Sequence, residues 1–96
     1  MIRELPEGDR PREKMQRLGV KSLANDELLA VFIRTGVKGK SAIKMGRELI
    51  QRYGSLAQVG QLSLSEMRKF HGLGLAKASQ LVAAFEIGRR VAQEQV

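Results

Sequence analysis

An all-α fold of five or six short helices is predicted by three observations. No segment alternates apolar and polar residues over more than a few positions, as a half-buried strand would. Apolar residues recur at the three- and four-residue spacing of an amphipathic helix. Helix-start residues and glycine stops punctuate these stretches along the chain.

Residues 1–8, with Pro6 and Gly8, read as a flexible tail, and residues 9–96 as one helical domain. Asp9 is a candidate cap and Pro11 suits a first helical turn. A short helix is expected from Arg10 to Leu18, with Met15 and Leu18 inward and Gly19 as its stop. A second should start near Asn25, whose side chain can accept amide N–H groups. Asp26 and Glu27 lie in its first turn, where the helix dipole favours negative charge. This helix carries Leu28, Leu29, Phe32 and Ile33 and stops near Thr35-Gly36.

A lysine-rich loop, Val37-Lys38-Gly39-Lys40, leads through Ser41 into a third helix bearing Ile43, Met45, Leu49 and Ile50, which Gly54 ends. Ser55 to Val59 is long enough for one connecting turn. Ser63-Leu64-Ser65-Glu66 has the form of a capping box opening a helix that ends near Phe70. The last helix begins after Gly74, with Ala78, Leu81, Val82, Phe85 and Ala92 tracing its buried stripe. Gly88 within it is unfavourable by about 1 kcal/mol relative to Ala, which points to a close helix contact there. A shift of 36 residues lays Gly36 on Gly72, Ala42 on Ala78, Met45 on Leu81 and Leu49 on Phe85. The two helix-turn-helix stretches are either an eroded duplicate or a chance likeness.

With 96 residues and 43% apolar content, the chain can build one compact core. The 17 Lys and Arg exceed the 10 Asp and Glu, giving a formal charge of +7. Such a surface suits a polyanion, nucleic acid before an anionic membrane, although a basic surface can also be incidental. There is no Cys, hence no disulfide framework and no thiolate metal site, which fits a cytoplasmic protein. Met1 to Pro6 lacks the apolar core of a signal peptide. The run from Leu28 to Ile33 is far short of a membrane span, so no membrane partner is expected.

The segment Phe70-His71-Gly72-Leu73-Gly74-Leu75-Ala76-Lys77-Ala78 carries the chemistry. Two glycines between helices permit a tight reversal and leave no side chain between backbone and ligand. The following helix offers free N–H groups and its positive dipole end, which fit a phosphate oxygen. Lys77 adds a mobile charge in the first turn, and Leu73 should turn inward to pin the hairpin. The pattern from Phe70 to Ala78 resembles the helix-hairpin-helix family of DNA-binding motifs, placed here at 63–93. The resemblance implies sequence-nonspecific contact with duplex or branched DNA by the amides of Gly72, Gly74, Ala76 and Lys77 around Leu73. It also implies a monovalent cation at the carbonyls of Arg68, Phe70 and Leu73, with no other cofactor. Many members have proline at the places of His71 and Leu75, so this hairpin lacks that rigidity. The competing reading is a tight turn inside a protein-interaction or scaffold domain.

The wider chain is similar to the start of RadC-type proteins. The likeness rests on Pro11 to Met15, Leu23 to Ala30, Ile33 to Gly36, Gly39-Lys40-Ser41, and Lys77-Ala78 through Gly88-Arg89-Arg90. It spans nearly all of residues 5–93. Family members often have Ser where Ala24 stands, so the cap must shift to Asn25 or be lost. The resemblance implies an N-terminal domain of a DNA-repair-associated protein, followed by a JAMM-type metal-binding domain with a His-x-His motif. The helix running into Gln93-Glu94-Gln95-Val96 reads as unfinished, as such a continuation requires. Any metal-dependent hydrolase activity belongs to that domain, and no catalytic residue or metal ligand is assigned to this chain.

Gly36-Val37-Lys38-Gly39-Lys40-Ser41 mimics a phosphate-binding P-loop but is two residues too short, and no strands accompany it. Lys38 and Lys40 read as a basic loop touching DNA backbone, or as solvated charge. His71 is the only histidine and lacks the partners of a metal site or dyad. Met15, Met45 and Met67 read as core filling. Tyr53 as the only Tyr, with no Trp, disfavours a base-stacking RNA platform.

Overall fold

The computed structural model describes residues 10–95. The expected tail and the Asp9 cap lie outside them. Among the described residues there are six α-helices, one 3₁₀ turn and no strand. The helices are α1 (Pro11–Leu18), α2 (Asn25–Ile33), α3 (Ala42–Tyr53), α4 (Leu56–Val59), α5 (Leu64–Arg68) and α6 (Leu75–Glu94). The 3₁₀ turn Val20–Ser22, which the sequence pattern does not reveal, links α1 to α2.

Three helix starts follow directly from serine chemistry. The hydroxyls of Ser41, Ser55 and Ser63 accept the amide N–H groups of Lys44, Gln58 and Glu66 at 3.1 Å each. At α5 the Glu66 carboxylate also accepts the Ser63 amide at 2.8 Å, completing the expected box. At α2 the cap does not shift to Asn25, which is already the first helical residue. Ala24 is the cap and has no side-chain acceptor, so only the return half survives, with Glu27 accepting the Ala24 amide at 2.8 Å. That bond, with Lys14 at 3.1 Å, holds the Glu27 carboxyl below its ordinary pKa and ties α1 to α2.

The core joins Ile33, Met45, Leu49, Val59, Met67, Phe70, Leu73, Ala78 and Leu81. The α2–α3 pair packs most extensively, and Gly46 is the reason. A Cβ there would stand 2.7 Å from the Asp26 carbonyl oxygen and 3.2 Å from Leu29 Cβ. Arg47 reinforces the pair through Asp26 at 3.3 Å.

Several inward assignments change. Leu18 is 56% exposed because, among the described residues, α1 packs mainly on α2 and the 3₁₀ turn, which do not cover both sides of its last turn. The buried side of α2 is Leu29, Ala30 and Ile33, which leaves Phe32 exposed. On α6, Ala78 and Leu81 are buried and Val82 and Phe85 half-buried, whereas Ala92 is exposed. Gly88 meets nothing within 4 Å. The close contact on α6 is made by Phe85, whose ring edge lies where a Cβ of Gly60 would be, at 2.8 Å. Arg89 fastens the same place by donating to the Gly60 carbonyl at 2.8 Å. Past that anchor residues 90–95 are exposed, and Ile87 and Val91 face solvent.

Candidate nucleic-acid interface

The hairpin joining α5 to α6 is built on two buried apolar residues. Phe70 is 6% and Leu73 2% exposed, while His71 between them faces solvent. The Leu73 amide donates to the Phe70 carbonyl at 3.1 Å and closes the turn. Arg52 at the end of α3 lies over the Phe70 ring, 5.4 Å from its centroid. Leu73 thus turns inward as its apolar side chain requires, and offers only backbone to a ligand.

The two glycines do different things. Gly72 has φ +95°, and a Cβ there would meet Met45 Cε at 2.6 Å and Val37 Cγ1 at 2.9 Å. Both its conformation and its packing require glycine. Gly74 has φ −75° and ψ −174°, ordinary extended backbone, and nothing lies within 4 Å of a Cβ built on it. Neither strain nor space in the folded chain accounts for a glycine at that position.

Gly74 is the N-cap of α6 and provides no side-chain acceptor. The first backbone bond of this helix runs from the Ala78 amide to the Gly74 carbonyl at 2.9 Å. The amides of Gly72, Gly74, Leu75, Ala76 and Lys77 therefore have no acceptor among the described residues. In α3, α4 and α5 a serine hydroxyl takes the amide of the third helical residue, the counterpart of Lys77. A row of uncapped donors beside a bare glycine can hold an anion without any specific side chain.

The basic side chains are less free than their sequence positions promise. Lys77 is tethered, its ammonium donating to the Thr35 carbonyl at 2.8 Å and to the Thr35 hydroxyl at 3.3 Å. An ammonium has three donors, so one remains for an anion. Lys40 is paired with Glu48 at 2.6 Å, which holds that carboxyl below its ordinary pKa. Lys38 is exposed and makes no ion pair among the described residues. It sits in a β-turn closed by the Lys40 amide on the Val37 carbonyl at 2.9 Å, with Gly39 at φ +82°.

The fold brings this lysine loop and the hairpin together. Gly72 packs beside Val37, and Lys77 reaches Thr35 across 42 residues of sequence. Arg52 and Thr35 are the participants that sequence reasoning missed. A contact between segments so far apart leaves no trace in local spacing. Of the carbonyls suited to a cation, that of Phe70 already accepts one N–H and keeps one lone pair.

Among the described residues no group of three or more His, Cys, Asp or Glu is placed to hold a metal ion. No described helix is long and apolar enough to cross a membrane. Residues 2–79 match the family pattern described as UPF0758 N-terminal. Curated relatives agree across almost the whole chain. A UPF0758 protein of Aromatoleum aromaticum is 44% identical over 95 residues, covering 99% of this chain and 42% of the relative. One of Trichlorobacter lovleyi is 48% identical over 92 residues, covering 93% of this chain and 40% of the relative. One of Shouchella clausii is 42% identical over 94 residues, covering 98% and 41%. The chain thus spans about two-fifths of the length of these relatives. No solved structure matches it. The chain belongs to UPF0758, the RadC-like family, and is its N-terminal part.

Proposed function

We propose that this chain is the DNA-binding part of its protein, gripping phosphates of duplex or branched DNA without regard to sequence. The observation that carries the reading is Gly74. Its glycine serves no conformational or packing need, and it lies at the head of a helix whose first amides have no acceptor. A ligand backbone approaching closely explains both. Gly72, Ala76 and the third proton of Lys77 complete the phosphate contacts, Leu73 anchors the turn, and Lys38 with the Lys40 loop lies alongside. A monovalent cation at the carbonyls of Arg68, Phe70 and Leu73 would add positive charge facing the same strand. In the longer relatives the module would deliver an attached metal-binding domain to DNA, in the cytoplasm and in the setting of repair.

A scaffold role is the second reading, favoured by Ile87 and Val91, which are 62% and 48% exposed on the free end of α6. Titrating the isotope-labelled chain with two unrelated short duplexes separates the two readings. The DNA reading expects the amide signals of 72–77 to shift, with equal affinity for both sequences. Unmoved hairpin signals would favour the scaffold.

A further inference from the structure

A second feature lies where α1, the end of α2 and the start of α3 converge. These segments enclose a cleft of about 360 Å³, lined among others by Arg10, Arg12, Arg34, Glu13, Ser41 and Ile43. Three arginines line it against one acidic residue, Glu13, among the described residues. Neither Arg10, Arg12 nor Arg34 has an acidic partner among the described residues, whereas Lys14, Lys40 and Arg47 nearby are all paired. A cleft lined by one sign of charge concentrates the field of those charges and attracts the opposite one.

Arg34 is held in place at a conformational cost. It has φ 69° and ψ −64°, and it is the only residue other than glycine with positive φ among the described residues. The Thr35 amide donates across it to the Ile33 carbonyl at 2.7 Å, which makes a γ-turn of the strained hand. Such a turn is strained and persists where the surroundings impose it. Glycine would adopt it freely, yet the position carries an arginine at the wall of the cleft. The next residue, Thr35, is the one that Lys77 holds, so the cleft adjoins the hairpin.

We propose that this cleft is a binding site for a phosphomonoester, the dianionic terminal phosphate of a nucleic-acid end or of a small phosphorylated molecule. Guanidinium groups bind phosphate oxygens in pairs and stay charged at any physiological pH. A monoester offers three oxygens and a charge between about −1.5 and −2, which suits a cleft lined by three arginines. A diester inside a strand offers two free oxygens and one charge. The nucleic-acid source rests on the DNA-binding reading of the hairpin; the phosphate chemistry of the cleft does not.

The test uses the isotope-labelled chain with inorganic phosphate, and separately with one duplex carrying either 5′-phosphate or 5′-hydroxyl ends. Inorganic phosphate should shift the amide signals of Ala42 and Ile43 saturably. The phosphorylated duplex should bind about tenfold tighter, the equivalent of one added charge-assisted contact. Arg34→Gly removes the charge and relieves the turn, so its fold is at least as stable, and it should abolish both effects. Arg12→Gln should weaken them. Phosphate binding without preference for the phosphorylated end would support the site and assign it to a small phosphorylated molecule. If neither duplex binds while phosphate still shifts Ala42 and Ile43, the cleft stands and the hairpin reading falls. If phosphate leaves those amides unmoved and both duplexes bind equally, the proposal is overturned.

Discussion

The molecule contains the same turn twice, and the two copies handle it differently. In α2–α3 and in α5–α6 a glycine with positive φ stands three residues before the next helix, Gly39 at +82° and Gly72 at +95°. Their true register is therefore a shift of 33 residues, which lays Ala42 on Leu75 and Ser41 on Gly74. The 36-residue shift read from composition matched glycines of different conformation. At the first turn Ser41 caps its helix and Lys40 is spent on Glu48. At the second, glycine replaces the capping serine and the helix start is left bare. A turn of this kind does not mark a binding site by itself. What distinguishes the second is one amide: Ser41 takes that of Lys44 in the first, whereas its counterpart, that of Lys77, has no acceptor among the described residues. The first turn offers charge through the exposed Lys38 and, at its flank, through Arg34.

The equivalent glycines break the symmetry most sharply. Gly39→Ala meets open space and should cost only the positive-φ penalty, about 1–2 kcal/mol. Gly72→Ala adds a clash with Met45 and Val37, so a loss of about 3–5 kcal/mol is expected. Urea unfolding of both variants measures the gap. Equal losses would mean that the hairpin does not pack on the lysine loop.

Exchanging the caps comes next in size. Ser41→Ala should destabilise by about 1 kcal/mol. Gly74→Ser imports the closure of the first turn and should stabilise by a few tenths of a kcal/mol while weakening DNA binding. A variant that is more stable yet binds less well would separate the two roles of a helix start. Binding that rises with stability would contradict the account.

The two lysines of the first turn provide a finer contrast. Lys38→Ala should leave the melting temperature unchanged and reduce the salt slope of DNA binding by about one. Lys40→Ala frees Glu48 and should change stability little, as for other exposed pairs. Its effect on binding should be the smaller of the two. The reverse order would show that the Lys40–Glu48 pair opens onto DNA.

The smallest effect is in acid. Glu48 is lowered from its ordinary value of 4.5 by its bond to Lys40, and Glu66 from the same value by the Ser63 amide and hydroxyl. Lowered carboxyls contribute stability that is present above the ordinary value and is lost as pH falls through the lowered one. Thermal melts between pH 6 and about 3 should therefore decline, and Glu48→Gln or Glu66→Gln should each flatten the decline. An unchanged slope in Glu66→Gln would mean that its box bond is not maintained in solution.

Local chemistry made much of this legible from sequence. Ser41 and Ser63 announced their helices, Gly19 and Gly54 ended theirs, and the apolar residue between Gly72 and Gly74 announced a pinned hairpin. The rest depends on segments far apart in the chain. Nothing local in the sequence marks Gly46 and Gly60, whose missing side chains make room for the backbone of α2 and the ring of Phe85. Gly88 was misread for the converse reason, since nothing packs on it. Lys77 looked mobile because its acceptor, Thr35, lies 42 residues away. The arginine cleft joins three segments, none of which is distinctive alone.

Measuring short-duplex affinity against salt for the parent and for Gly74→Val tests the central claim most directly. A Cβ at Gly74 meets nothing within 4 Å, so a cooperative melt, lowered only by the poorer N-cap that valine makes, certifies the fold, and a change in affinity reports on what approaches from outside. The account predicts a parent slope of log K against log[salt] of about −2 to −4, from roughly two to four phosphate contacts. It predicts binding at least about tenfold weaker in the variant, the loss of one or more charge-assisted contacts. A folded Gly74→Val chain with the affinity and salt slope of the parent would contradict it.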